Sequence, residues 1–209
     1  MQVMDLGLVR FAEAFYYQDY FVDKILSGEF QEALLLLEHF QVYTIGRSGK
    51  MNNVLESTIE TIKINRGGDI TFHAPGQIVG YPLVNLATRR RDLLHYLRFL
   101  EEVLIQVAAD FGVKAYRIDG QTGCWTLDGK LASIGVGARR WVTMHGFALN
   151  VSCDLTGFNK INPCGIVNCK MTSLEKITNK KISMDEVKKR TMVNFKRLLD
   201  QWLPVAEFH

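Results

Sequence analysis

The sequence predicts an α+β fold: a mixed, mostly antiparallel sheet with a few flanking helices. Short apolar or alternating segments recur along most of the chain, as strands require. Only three segments step their apolar residues by three and four, as packed helices do. Glycine-containing turns separate the short segments at hairpin spacing.

Val3 to Val9 is a short strand. Phe11 to Ser27 reads as a helix with Phe11, Phe15, Val22, Ile25 and Leu26 on one face, and Gly28 is placed to end it. Ala33 to His39 carries Leu34-Leu35-Leu36-Leu37, the pattern of a buried strand, and Gln41 to Gly46 extends the sheet. Thr61 to Asn65 alternates and runs into Arg66-Gly67-Gly68-Asp69, so a hairpin to Asp69–His73 is expected across the paired glycines. Ile78 to Leu83 is the next strand.

Arg90 to Phe111 is the clearest helix, with Leu93, Leu97, Leu100, Leu104, Val107 and Phe111 in step and Gly112 as a stop. Val113 to Ile118 is strand-like. Thr122–Leu127, Leu131–Ala138 and Trp141–Val151 suggest an antiparallel meander, with Asp128-Gly129 as a turn signal. Ser152 to Asn168 has no period and reads as a loop. Ser183-Met184-Asp185-Glu186 is a capping-box pattern, opening a last helix through Val187, Phe195, Leu198, Leu199 and Trp202.

The chain has 209 residues and neither repeats nor low-complexity tracts, which suits one domain over 1–209. With 47% hydrophobic and 22% charged residues, disorder and coiled coil are excluded as the main state. Lys+Arg is 25 and Asp+Glu is 22, a formal charge of +3. That excess does not argue for nucleic acid, though it leaves room for a mildly basic face toward an acidic protein. No apolar run reaches membrane-spanning length, and Met1 to Arg10 lacks a signal-peptide pattern. A cytoplasmic protein with reduced thiols is therefore expected at Cys124, Cys153, Cys164 and Cys169. No Cys-x-x-Cys pair is present, and no metal is expected.

Three segments carry possible chemistry. In Arg66-Gly67-Gly68-Asp69-Ile70-Thr71-Phe72-His73, paired glycines allow close approach of backbone to a ligand, and Arg66, Thr71 and His73 add polar groups. The plainer reading is a solvated glycine hairpin. In Asn162-Pro163-Cys164-Gly165, proline and glycine confine a thiol to a rigid loop, where it can act as an acyl acceptor. The plainer reading is a small buried hydrophobe. Lys130 opens an apolar, small-residue strand, Leu131-Ala132-Ser133-Ile134-Gly135. It is either a solvated turn lysine or, if it faces Cys164, a group that stabilises the thiolate and shuttles a proton.

In this order the segments resemble the lipoyl(octanoyl) transferase family. Arg66 through Tyr81 is similar to the family pattern R-G-G-x-x-T-aromatic-H-x-x-G-Q-x-x-x-Y. Asp128 through Gly135, continuing to Thr143-Met144-His145-Gly146-Phe147-Ala148-Leu149-Asn150-Val151, resembles a second block. Asp154-Leu155 through Phe158, Ile161 and Pro163-Cys164-Gly165 resembles a third. Ala74 and Met144 depart from the frequent glycine and tyrosine. The resemblance covers most of residues 3–175.

The resemblance implies the biotin/lipoate protein ligase fold and a two-step acyl transfer. Octanoyl would leave the phosphopantetheine thiol of acyl carrier protein for Cys164, and a lysine of a lipoyl domain would then take it. Implied acceptors are the lipoyl domains of 2-oxoacid dehydrogenase E2 subunits and the glycine-cleavage H protein. Cys164 is implied as nucleophile, and Lys130 as the residue that lowers its pKa. Arg66, Gly67, Gly68, Asp69, Ile70, Thr71, Phe72, His73, Ser133, Ile134, Gly135, Gly146, Phe147 and Ala148 are implied to line the acyl pocket. No ATP would be needed. The rival readings are an ATP-dependent lipoate ligase, an amidotransferase drawing on the H protein, and a non-catalytic carrier-binding module.

Overall fold

The computed structural model describes residues 1–206, so the last three positions of the predicted 1–209 domain lie outside the described residues. The predicted α+β class is observed. β1 (Gln2–Val9), α1 (Phe11–Leu26) and β2 (Ala33–His39) form a crossover unit in which β1 and β2 pair in parallel. The other strands of the large sheet are β6 (Gln77–Leu83), β7 (Tyr116–Ile118), β8 (Gln121–Thr126), β9 (Gly129–Arg139) and β10 (Val142–Asn150), all paired antiparallel. The order across this sheet is β1-β2-β6-β10-β9-β8-β7.

The four leucines of β2 show how the sheet divides two cores. Successive strand side chains point to opposite faces. Leu34 and Leu36 therefore join the core under α2 (Leu93–Asp110) and α4 (Met184–Trp202), while Leu35 and Leu37 join the core under α1. All four are at most 2% exposed, which is why the strand reads as an unbroken apolar run.

A second, three-stranded sheet runs β4-β3-β5, from β3 (Val42–Ile45), β4 (Thr61–Lys63) and β5 (Ile70–His73). Here two expectations change. Val42–Ile45 belongs to the separate sheet and does not extend the large one. The glycine hairpin does not form either, because β3 lies between the two predicted partners, parallel to β4 and antiparallel to β5. Arg66 to Asp69 is the loop crossing from one edge of this sheet to the other.

Helix ends also sharpen the reading. The long helix begins at Leu93, because the Asp92 carboxylate accepts from the His95 N–H at 2.9 Å and caps it. The capping box at the last helix is not made: Ser183 occupies the N-cap without a side-chain hydrogen bond, leaving Asp185 and Glu186 to favour the positive helix end. A five-residue helix, α3 (Leu174–Thr178), was not foreseen; it is capped by Ser173 and too short to show a period. The strand expected at Val113–Ile118 is confined to Tyr116–Ile118. The meander forms as expected, with two details. Thr126 pairs with Gly129, so Leu127 and Asp128 are the turn residues. At the other end Arg140 and Trp141 both have positive φ, 50° and 70°, as a two-residue hairpin loop of matching twist requires.

Two connections position the chemistry. The segment 153–172 is sewn to β9 at Lys130, whose N–H donates to the Lys170 carbonyl at 2.8 Å and whose carbonyl accepts from the Thr172 N–H at 3.0 Å. It is tied to the small sheet by the Tyr43 hydroxyl of β3, which donates to the Gly157 carbonyl at 3.0 Å, and to the turn at Met51–Asn53 by an Asn162 N–H bond to the Asn53 carbonyl at 2.8 Å. No helix among the described residues is long and apolar enough to cross a membrane.

Candidate active site

Cys164 sits in a single tight turn, Pro163–Gly165, closed by a Gly165 N–H bond to the Asn162 carbonyl at 2.9 Å. Its backbone is left-handed, φ 58° and ψ 21°, as is that of Gly165 at φ 74°. Only glycine adopts that conformation freely. At Gly165 a Cβ would also stand 2.9 Å from Oδ2 of Asp69, a carboxylate held by Asn53 at 2.7 Å. The turn thus presents the thiol half-buried in a strained geometry. Relieving that strain gives a stability prediction: Cys164→Gly should raise Tm by about 2 °C, worth about 1 kcal/mol, while abolishing the thiol. A thermal melt beside wild type checks it; a lower Tm would show that the sulfur's packing and its contact with the buried Lys130 amine outweigh the strain.

Lys130 is wholly buried on β9. Its Nζ donates to Cys164 Sγ at 3.2 Å and to the Thr122 carbonyl at 3.0 Å, and lies 5.0 Å from the centre of the Trp125 ring. A solvated turn lysine would have none of these partners. A buried lysine head needs polar partners, and the Cys164 sulfur, a carbonyl and an aromatic face supply them.

The other cysteines differ. Burial pushes the Cys124 and Cys153 thiols up to about 12, which removes them as nucleophiles at neutral pH. Cys169 is also raised by burial, with Lys130 opposing.

Cys164 opens onto a narrow cleft. Of the residues that the resemblance implied for the acyl pocket, Arg66, Thr71, His73, Ser133, Ile134, Gly135, Gly146, Phe147 and Ala148 line this cleft. Gly67, Gly68, Asp69, Ile70 and Phe72 do not. Strand alternation separates them: Thr71 and His73 face the cleft, while Ile70 and Phe72 fill a small core with Ile45, Phe158 and Ile161. Asp69 serves the turns, accepting from the Ile70 N–H at 2.7 Å and from Asn53. Gly67 binds the Val136 carbonyl through its N–H at 2.7 Å. Gly68 is exposed at φ 82°, so its requirement is conformational and has nothing to do with room for a ligand. The positions where small size matters are Gly135, whose Cβ would meet Arg66 at 2.8 Å, and Gly146, whose Cβ would meet the Gly80 carbonyl at 2.2 Å.

Arg66 is a buried bracket. It donates to the Thr44 carbonyl at 2.8 Å and to Gly67 O at 3.0 Å. Burial lowers its pKa, opposed by Cys164, Tyr81 and Asp69. Sequence reasoning missed Phe11, Ile64, Tyr81 and His145 in the lining. His145 is left-handed within β10, φ 57°, with its N–H donating to Gln18 on α1 at 2.6 Å and its Nε2 2.6 Å from Asn65 Oδ1. Tyr81 and His145 lie inside the quoted motif blocks, the one signal that pointed to them.

At and behind the cleft, burial favours the neutral form of His39, His73 and His145. His39 Nδ1 must donate to the Val9 carbonyl at 3.1 Å, so its Nε2 accepts from the Tyr81 hydroxyl at 2.8 Å. Burial lowers His39 and His145 to about 4 and His73 well below its usual range. A depressed histidine binds its proton in the unfolded chain first. Stability is therefore complete above about pH 6.5 and declines as pH falls toward 4, by about 3 kcal/mol for each of His39 and His145. Melts between pH 4 and 7 should show that slope, and His39→Gln should flatten it; an unchanged slope in the variant would contradict the assignment.

A fixed sulfur with a buried amine 3.2 Å from it, at the edge of a cleft lined by apolar and polar groups, is an arrangement suited to acyl transfer. The chain belongs to the family of lipoyl protein ligase A/B catalytic domains, whose model matches residues 10–196. An octanoyltransferase of Syntrophotalea carbinolica is 61% identical over 207 residues, covering 99% of this chain and 98% of that protein. The bi-partite lipoate protein ligase of Thermoplasma acidophilum superposes with a TM-score of 0.70 at 13% identity, over 95% of this chain and 82% of that one. The biotin protein ligase of Aquifex aeolicus gives 0.57 at 13% identity, over 97% and 70%. These two solved structures share the fold, the biotin/lipoate ligase architecture that the sequence resemblance implied.

Proposed function

We infer that this protein is an octanoyltransferase, an acyltransferase of protein lipoylation. The observation that carries the mechanism is the 3.2 Å approach of Lys130 Nζ to Cys164 Sγ at the edge of the cleft. We take the donor to be octanoyl-acyl carrier protein. The Cys164 thiolate attacks the thioester carbonyl, and a carbon–sulfur bond forms as the carbonyl electrons move to oxygen. The tetrahedral intermediate collapses, expelling the phosphopantetheine thiolate, which takes a proton from Lys130. A lysine ε-amine of a lipoyl domain then attacks the Cys164 thioester. It loses a proton to Lys130, and Cys164 leaves again as thiolate. The acceptors we propose are E2 lipoyl domains and the glycine-cleavage H protein.

The apolar wall of Phe11, Ile64, Ile134 and Phe147 suits a linear alkyl chain, each buried CH₂ contributing about 0.8 kcal/mol. Because the donor is already a thioester and the intermediate preserves its activation, neither ATP nor a metal is required. We place the reaction in the cytoplasm, where Cys164 stays reduced. Intact mass after mixing with octanoyl-acyl carrier protein should show one octanoyl adduct on Cys164, removed by hydroxylamine. Amide should form on a lipoyl domain without nucleotide. Absolute dependence on ATP and free octanoate would replace this reading with a ligase.

A further inference from the structure

We propose that Glu101, on α2, is a positioning residue for Lys130, acting through a single peptide unit of β8. The inference rests on the Cys164–Lys130 dyad of the proposed mechanism. The Thr122 carbonyl that accepts from Lys130 Nζ at 3.0 Å belongs to the same peptide group as the Gly123 N–H. That N–H donates to Glu101 Oε1 at 3.1 Å. One peptide is thus held at both ends, by a carboxylate on its donor side and an ammonium on its acceptor side. Each interaction polarises the peptide in the sense that strengthens the other.

The surroundings fit a clamp. Glu101 is completely buried, a costly place for a carboxylate unless its oxygens are occupied. Its second oxygen, Oε2, accepts from Arg98 Nη1 at 2.7 Å and Arg117 Nε at 3.1 Å, and both arginines reach solvent. The charge could therefore have been paired at the surface; instead it is carried inward to one backbone amide. Gly123 has φ 137°, and a Cβ there would stand 2.8 Å from Lys130 Cε and 2.6 Å from the Ala132 carbonyl. The peptide is shaped to let the lysine stem pass and to meet its head.

The test reads thiol reactivity, independent of any acyl donor. Alkylation of Cys164 by iodoacetamide, located by mass, is followed against pH in wild type, Glu101→Gln, Lys130→Met and the double variant. Glu101→Gln should slow Cys164 alkylation about tenfold at pH 7 and move the profile to higher pH. In the Lys130→Met background it should add nothing, because the two act along one path. Glu101→Asp, which keeps the charge but is one methylene too short to reach Gly123, should behave as Glu101→Gln does and covers the case in which the glutamine variant does not fold. A profile unchanged in both Glu101 variants, or additive losses in the double variant, would leave Glu101 as a tie between α2 and β8 and overturn the proposal. An unchanged profile in Lys130→Met alone would instead remove the dyad.

Discussion

Cys164→Ser should leave a folded protein that no longer accepts an acyl group, with overall transfer reduced about a thousandfold or more. The left-handed turn accepts serine as readily as cysteine, so the fold is spared. The loss comes from chemistry: a hydroxyl beside Lys130 is far harder to ionise than a thiol, and an oxygen ester would be a poorer donor to the second amine. Intact mass shows the missing adduct, and single-turnover transfer to a lipoyl domain shows the rate. An adduct of normal yield on another cysteine would remove Cys164 from the mechanism. The burial of Cys124 and Cys153, which raises both thiols to about 12, makes that outcome unexpected.

Lys130→Met should cost about a hundredfold in turnover. Methionine fills similar volume and keeps the contact with Trp125, but the charge beside Sγ and the mobile proton are gone. Both half-reactions should slow, since each passes a proton through this position. Pre-steady-state acylation, and transfer from pre-formed acyl-enzyme, separate the two. Slowing of one alone would assign Lys130 to that step only.

Much of this was legible in the sequence, and the limits have physical causes. The Pro-Cys-Gly turn and the lysine opening a small-residue strand could be picked out because each places a chemically costly residue in a confined setting. The buried β2 run and the meander were legible for the same local reasons, period and turn chemistry. The pairing of β4 with β3 was not, since a glycine pair between two strand-like segments looks the same whether the strands meet or a third lies between them. The capping box failed because its pattern specifies residues and not rotamers. Phe72 and Ile70 were assigned to the cleft with their neighbours, although strand alternation alone separates them from Thr71 and His73. Glu101 gave no local signal at all, because its partner Gly123 lies on another element, and His145 was marked only by its motif block, its partners Gln18 and Asn65 being remote in the chain.

Lys130 is bound to the segment bearing Cys164 twice, through its side chain to the sulfur and through its backbone to Lys170 and Thr172. The loop is therefore referenced to a residue that the sheet itself fixes, since Lys130 is paired with Trp125 across β8 and β9 and its amine is held by the Thr122 carbonyl. The gap between sulfur and amine is set by backbone bonds on both sides of it. A change confined to Lys170–Thr172, which touches neither side chain, would move the thiol off the amine.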